Sequence, residues 1–354
     1  MPALSRKRLS CKRRIRPVWA LAAILAWPAI ARAAETCTTQ SQMPASDRVA
    51  LTATAQSFAA RVQANDAAGL KALTIPQYAQ NFDGIAAAIQ TTAPKIAADT
   101  LTVTSLYLLE VTESTHTAAS TVTADTQFFC TLSTSAEVSF TFPHLLPNRY
   151  AFVTVRAQGT QTAWQLSFVL QQTSKDWQLA GFYPRAAMAA GHDGLWYWTQ
   201  ARLYTKQNQH WNAWLYYSVA DALLTPVEFV SSTNRSKLQA EQTDAMPQPL
   251  QANGISPQHP LTAGGFDFTA IGTQPSQDGK SLELALHITA TDVSDPVAVR
   301  ARGLQAIEAL FTAYPEFGSA FTSAWVYADA PGQSSFAIEF NPISIPLPQA
   351  NVHD

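Results

Sequence analysis

Hydrophobic and polar positions follow successive regimes along the chain. An unbroken apolar run at 18–30 stands behind a cluster of positive charges, Arg6, Lys7, Arg8, Lys12, Arg13, Arg14 and Arg16. Helical spacing comes next. Ser46 is a candidate N-cap, Val49, Phe58 and Val62 with intervening alanines form one apolar stripe, and Ile85, Ile89 and Ile96 form another within 82–96. The period then drops to two. Segments 101–113, 121–132, 136–142, 150–158, 164–172 and 177–183 are rich in β-branched and aromatic residues, with clear alternation in Phe152-Val153-Thr154-Val155-Arg156. Ser174-Lys175-Asp176 makes the last connection a tight hairpin. Helices followed by antiparallel strands is an α+β order, and it predicts helices packed on an antiparallel sheet over 46–185.

Helical spacing returns over 190–245 with an unusual aromatic load. Four of the nine tryptophans, Trp196, Trp198, Trp211 and Trp214, fall here. Tyr197, Ala201 and Tyr204 lie on one helix face, and Ala213, Tyr217, Ala220 and Leu224 repeat the spacing on the next. Small residues let such helices approach and the aromatics fill the remaining gap, which predicts an α-helical hairpin module. A third helix is expected over 226–242. Pro247, Pro249, Gly254, Pro257 and Pro260 mark 246–262 as a linker. Beyond it, 263–348 reads as a small β-β-α-β-β two-layer domain. Strands at 266–273 and 281–291 flank the turn signal Gln277-Asp278-Gly279. Asp295-Pro296 starts a helix with Val297, Ala301, Leu304, Ile307, Phe311 and Tyr314 on one face, and strands at 321–328 and 335–340 follow.

The pair Trp164-Gln165-Leu166-Ser167-Phe168-Val169-Leu170 and Trp177-Gln178-Leu179-Ala180-Gly181-Phe182-Tyr183-Pro184 resembles the closing strands of the nuclear transport factor 2-like fold. The resemblance covers 46–185 and implies that the antiparallel sheet is curved and cone-like around a cavity, in a family of isomerases, hydrolases and non-catalytic binding or dimerisation modules. The helix pair is similar to a single tetratricopeptide repeat ending at Pro226, with Gln200 where that pattern has leucine. One such repeat cannot bury its apolar face alone, so it is expected to lean on a neighbour.

Charge changes the picture at the start of the chain. The basic cluster, the apolar run and Ala31-Arg32-Ala33 have the layout of a secretory signal peptide over 1–33, with cleavage between Ala33 and Ala34. The run is shorter than the roughly 20 residues a membrane span needs. Arg16 and Pro17 behind Arg13-Arg14 fit a twin-arginine signal poorly, and Glu35-Thr36 before Cys37 is no lipobox. An exported protein, periplasmic or secreted, is the expectation. Eight of the 23 basic residues and none of the 25 acidic ones precede Ala34, which leaves 15 against 25, a formal charge of −10. Such a chain lacks the basic face a nucleic-acid binder needs, and no transmembrane segment is expected beyond the leader. A protein partner or a small neutral ligand fits better. Cys37 and Cys130 are the thiols that remain. An oxidising compartment favours a disulfide between them, worth up to about 4 kcal/mol; two unpaired buried thiols are the alternative.

Catalytic signatures are sparse. The chain has no Gly-x-Ser-x-Gly elbow, phosphate loop or dinucleotide fingerprint. His116, His144, His192, His210, His259, His287 and His353 are scattered without ligand spacing, so neither a metal nor another cofactor is expected. Within a cone, proton transfer would need a carboxylate of raised pKa and a neutral donor. Asp83, Glu110 and Asp125 are the candidate acids or bases, with Tyr78 and Tyr107 as donors; ordinary solvated carboxylates are the plainer reading. Trp196, Trp198, Trp211, Trp214 and Tyr216 exceed what the helix pair needs. They either bury against the first region or form an exposed binding patch. Two functions follow: an exported non-catalytic binding or assembly protein engaging a protein partner through its aromatic helices, or a small-molecule binder or proton-transfer enzyme using the first region's cavity.

Overall fold

The structure, a computed structural model, describes residues 35–112, 125–159, 162–174, 176–341 and 343. The expected leader and its cleavage site near Ala33, the far ends of the strands at 101–113 and 121–132, His116 and His353 lie outside the described residues. The first region comprises β1 (Glu35–Thr39), α1 (Ala45–Gln63), α2 (Ala67–Ala72), α3 (Pro76–Ala79), α4 (Asp83–Ile96), β2 (Thr100–Val111), β3 (Thr126–Ser133), β4 (Ala136–Phe142), β5 (Asn148–Gln158), β6 (Ala163–Thr173) and β7 (Asp176–Ala186). Then come β8 (Met188–Ala189), β9 (His192–Asp193), α5 (Gly194–Lys206), α6 (His210–Leu224), β10 (Val230–Ser232) and α7 (Thr233–Asp244). The chain continues through β11 (Leu261–Ala263), β12 (Phe266–Pro275), β13 (Leu282–Thr289), α8 (Pro296–Ala313), α9 (Phe317–Ala320), β14 (Ala324–Asp329) and β15 (Phe336–Phe340). The fold is mixed α and β, and none of its sheets is closed.

The strands of the first region do not form one sheet. β1-β2-β5-β6-β7 is antiparallel throughout, while β3 and β4 pair with the later β10 in a second sheet. The reason lies in β5, where Tyr150 to Val155 are buried without alternation, so both faces of the main sheet need a cover. α1 and α4 supply one, with Leu51, Phe58, Ile89 and Ile96 against Leu108, Val153 and Phe168. The second sheet supplies the other, with Phe128, Phe140 and Phe142 against Leu109 and Phe152. Cys37 on β1 and Cys130 on β3 are disulfide-bonded, their Cα atoms 5.2 Å apart, and join the edges of the two layers.

Two helix readings before the last sheet need correction. α1 begins after Pro44 rather than at a Ser46 cap, and its buried face is Leu51, Ala55, Phe58, Ala59 and Val62, leaving Val49 68% exposed. The third helix of the middle segment starts at Thr233, with the Ser232 hydroxyl accepting from the Arg235 amide, because Val230–Ser232 is drawn off into pairing with β4.

The last sheet, β11-β12-β13-β14-β15, is antiparallel except for the β13–β14 pair, which α8 joins as a parallel crossover. Asp295 caps α8 through the amides of Val297 and Ala298. The helix buries Val299, Gly303, Ala306, Ile307, Leu310 and Phe311, leaving Val297, Ala301 and Leu304 on the outside, contrary to the expected face. Gly303 explains the rotation. A Cβ there would lie 3.2 Å from the Phe340 ring, so this side of α8 comes closest to the sheet. Residues 246–262 are not a free tether either: Leu250 is buried, and Met246 and Ile255 pack on the same core. That core is continuous from the helix pair α5–α6 into the last sheet.

Candidate functional site

The five groups that proton transfer would require are not brought together. Asp83 and Asp125 are exposed, and Tyr78 is 42% exposed. Glu110 accepts from Arg149 Nε at 2.7 Å, and the same guanidinium bonds Asp47 Oδ2 at 2.8 Å and Gln172 Oε1 at 2.9 Å. Arg149 thereby ties Asp47 of α1 to the sheet, and Glu110 is held within that network. Tyr107 lies on the opposite face, edge-on to Phe140 at 5.1 Å, and burial pushes its phenol up. It borders an open hollow of about 520 Å³ with Thr39, Gln40, Ser41, Arg48, Ser105, Leu106 and Leu132, away from all three candidate carboxylates.

The aromatic helices divide into buried and half-buried groups. Trp211 is 1% exposed, with its ring centroid 5.5 Å from both Tyr314 and Phe317. Its amide donates to Glu316 Oε1 at 3.2 Å, so the carboxylate caps α6 from outside the helix. Burial raises Glu316 above the usual carboxylate range despite this bond and the nearby His210. Asn212 is fully buried and donates to the Glu316 carbonyl and to Ser319 Oγ. Tyr216 sits among Tyr197, Tyr204 and Phe321, and burial foremost drives its phenol well above the ordinary range. Trp198 donates its indole N–H to Glu241 Oε2 at 2.7 Å, beneath the Arg202 guanidinium that grips the same carboxylate through two bonds of 2.7 Å. Those bonds hold Glu241 below its ordinary pKa and fasten α7 to α5. Thus Trp198, Trp211 and Tyr216 do not form a surface patch. Nor do these aromatics bury against the first region as expected: Trp211 and Tyr216 pack on the α8–α9 end of the last sheet, which offers Tyr314, Phe317 and Phe321.

Trp196 and Trp214 remain half-buried, and each borders a depression. Trp214, with Leu215, Ser218, Val219, Ala222 and Leu223 of α6, forms one wall of a groove of about 480 Å³. Ile271, Thr273, Pro275 and Leu282 form the facing wall, and Ala186, Met188 and Ala189 complete the lining. The groove is open along its length and overwhelmingly apolar. Met188 also borders a second depression, of about 400 Å³, with Arg156, Gln158, Gly191, His192, Asp193 and Trp196. There the His192 ring stacks on Trp196 at 3.7 Å, and Asp193 caps α5 by accepting from the Trp196 amide.

Most of these walls escaped the sequence reading. One signal was present: Leu215, Val219 and Leu223 recur at i, i+4 and i+8, a second apolar face on α6 beside the one used for the helix pair. The facing wall comes from β12 and the start of β13, distant in sequence. Among the described residues, no group of three or more His, Cys, Asp or Glu side chains could hold a metal ion, and no helix is long and apolar enough to cross a membrane. Comparison with protein-family models, with curated proteins and with solved structures finds no match to this chain.

Proposed function

We propose that this is a non-catalytic binding or assembly protein that takes an apolar segment of a protein partner into the groove between α6 and β12. The groove itself carries the reading: it is a long, open, apolar surface with Trp214 half-buried in its wall and Ala222 exposed on its rim. Exposed apolar surface of this kind is a cost to a solitary chain and is characteristic of interaction sites. Openness favours a peptide segment laid along the helix, since small-molecule sites enclose most of their ligand. The scattered positions of Asp83, Glu110, Asp125, Tyr78 and Tyr107 give the proton-transfer alternative no support.

On the same reading the protein is exported. The Cys37–Cys130 bond suits an oxidising compartment and agrees with the leader-like opening of the sequence. The first region is taken as a nuclear transport factor 2-like scaffold of cone-like form, favoured by α1 and α4 lying against one face of its main sheet. The helix pair is taken as a tetratricopeptide-like module between that scaffold and the last sheet. The groove reading is tested by placing a photo-crosslinking residue at position 222, on the rim, and at the exposed position 240 of α7. A discrete adduct from 222 alone, abolished by Val219→Lys, is expected in the native setting. Monomer from both positions refutes it.

A further inference from the structure

We propose that the depression next to the groove is an anion-recognition subsite, in which Arg156 receives an acidic side chain following the apolar segment of the bound partner. This inference rests on the groove reading above. Of the described arginines, five are ion-paired, two lie over aromatic rings and Arg48 donates to the Gln40 carbonyl. Arg156 differs from all of them. It is half-buried, yet among the described residues it has no ion pair, hydrogen bond or ring partner. Its strand neighbours are the neutral Thr102 and Gln165. The one carboxylate bordering the depression, Asp193, has an oxygen engaged by the Trp196 amide at 2.9 Å.

Arg156 thus presents a guanidinium with no protein partner among the described residues, and a carboxylate would engage it through two parallel charge-assisted bonds. Position supplies the rest. Met188 borders both the groove and the depression, so a chain leaving the groove over Met188 reaches Arg156 next. The stacked His192 and Trp196 rings form the adjoining wall, against which the chain can lie. The partner segment defined by this surface is apolar residues followed by Asp or Glu.

The test uses the intrinsic tryptophan fluorescence of the full chain. Two blocked synthetic peptides are titrated, acetyl-Leu-Ile-Val-Leu-Gly-Glu-amide and its Gln-ended counterpart. The wild-type protein is expected to prefer the Glu peptide by about tenfold, as one partly exposed charge-assisted pair supports, with the preference shrinking as salt is added. Arg156→Gln should erase the preference while binding the Gln peptide as before. Arg156→Lys should keep a reduced preference, because the charge stays and the fork is lost, and both variants should melt with the wild type. Equal binding of the two peptides by the wild type, or a preference that survives Arg156→Gln, overturns the subsite and leaves the groove standing. Binding of neither peptide overturns both readings. Decanoate binding as tightly as the Glu peptide overturns the assignment to a protein segment.

Discussion

Removing the Cys37–Cys130 bond by a double substitution to alanine tests how the two layers of the first region are held together. Cys37 sits on β1, paired with Leu109 of β2, whereas Cys130 sits on β3, paired with Val138 of β4. The bond therefore joins the edges of two different sheets and closes a loop of sequence separation 93. Loop-closure entropy for that length is about 4.6 kcal/mol, a ceiling because a denatured chain keeps some structure. The removal of one buried and one half-buried sulfur adds only a small further cost, because alanine leaves the strands intact. Loss of about 3–4 kcal/mol is expected, a large part of a domain's usual margin. Denaturant unfolding, followed by tryptophan fluorescence to which Trp164 and Trp177 of this region contribute, should be compared for the oxidised, reduced and double-alanine proteins. Reduction and double substitution should agree within about 1 kcal/mol. A loss below about 1 kcal/mol would refute the reasoning, since the apolar contact between the layers would then suffice without the tether.

Other perturbations address the shared core. Trp211→Ala should cost about 3–5 kcal/mol, because it empties a fully buried site between α6 and α9; thermal melting and denaturant midpoints measure it. Glu316→Gln should be more stable than the wild type at pH 7. Burial raises the folded pKa of Glu316 above its unfolded value, so its contribution is greatest at low pH and is lost as pH rises through the folded pKa. The gain from glutamine should therefore vanish below about pH 4, in stability measured across pH 3–8.

Much of the local structure was legible where a single chemical signal decided it. Asp295-Pro296 marked the start of α8, Asp278-Gly279 marked the turn between β12 and β13, where Gly279 has φ +70°, and alternation marked β4 with its bounds. Sequence patterns failed where tertiary pairing made the choice. β1 and β10 are too short to show a period, and each is a strand only because a partner edge accepts it. Helix faces failed for a related reason: apolar residues were abundant around α8, and the close approach at Gly303 selected which side turned inward. The candidate site shows the same limit. Tryptophans drew attention to α5 and α6, but Trp211 and Trp214, three residues apart, differ in exposure because Tyr314 and Phe317 cover only the first. Arg156 stood out in no pattern, and only the placement of its neighbours reveals that it has no counter-ion among the described residues.

The return of β10 to the first region has a mechanical consequence. After β7 the chain makes the α5–α6 excursion and comes back to pair Val230 with Phe140, while the Phe229 ring lodges against Phe142 and Phe152. The helix pair is thus anchored at two points, like a handle fixed at both ends. A pull on the groove would load β7 and β10 together, and neither could peel away without dragging aromatic rings out of the sheet interface. Tension at the groove would pass into the disulfide-braced first region and spare the hinge a single attachment would create.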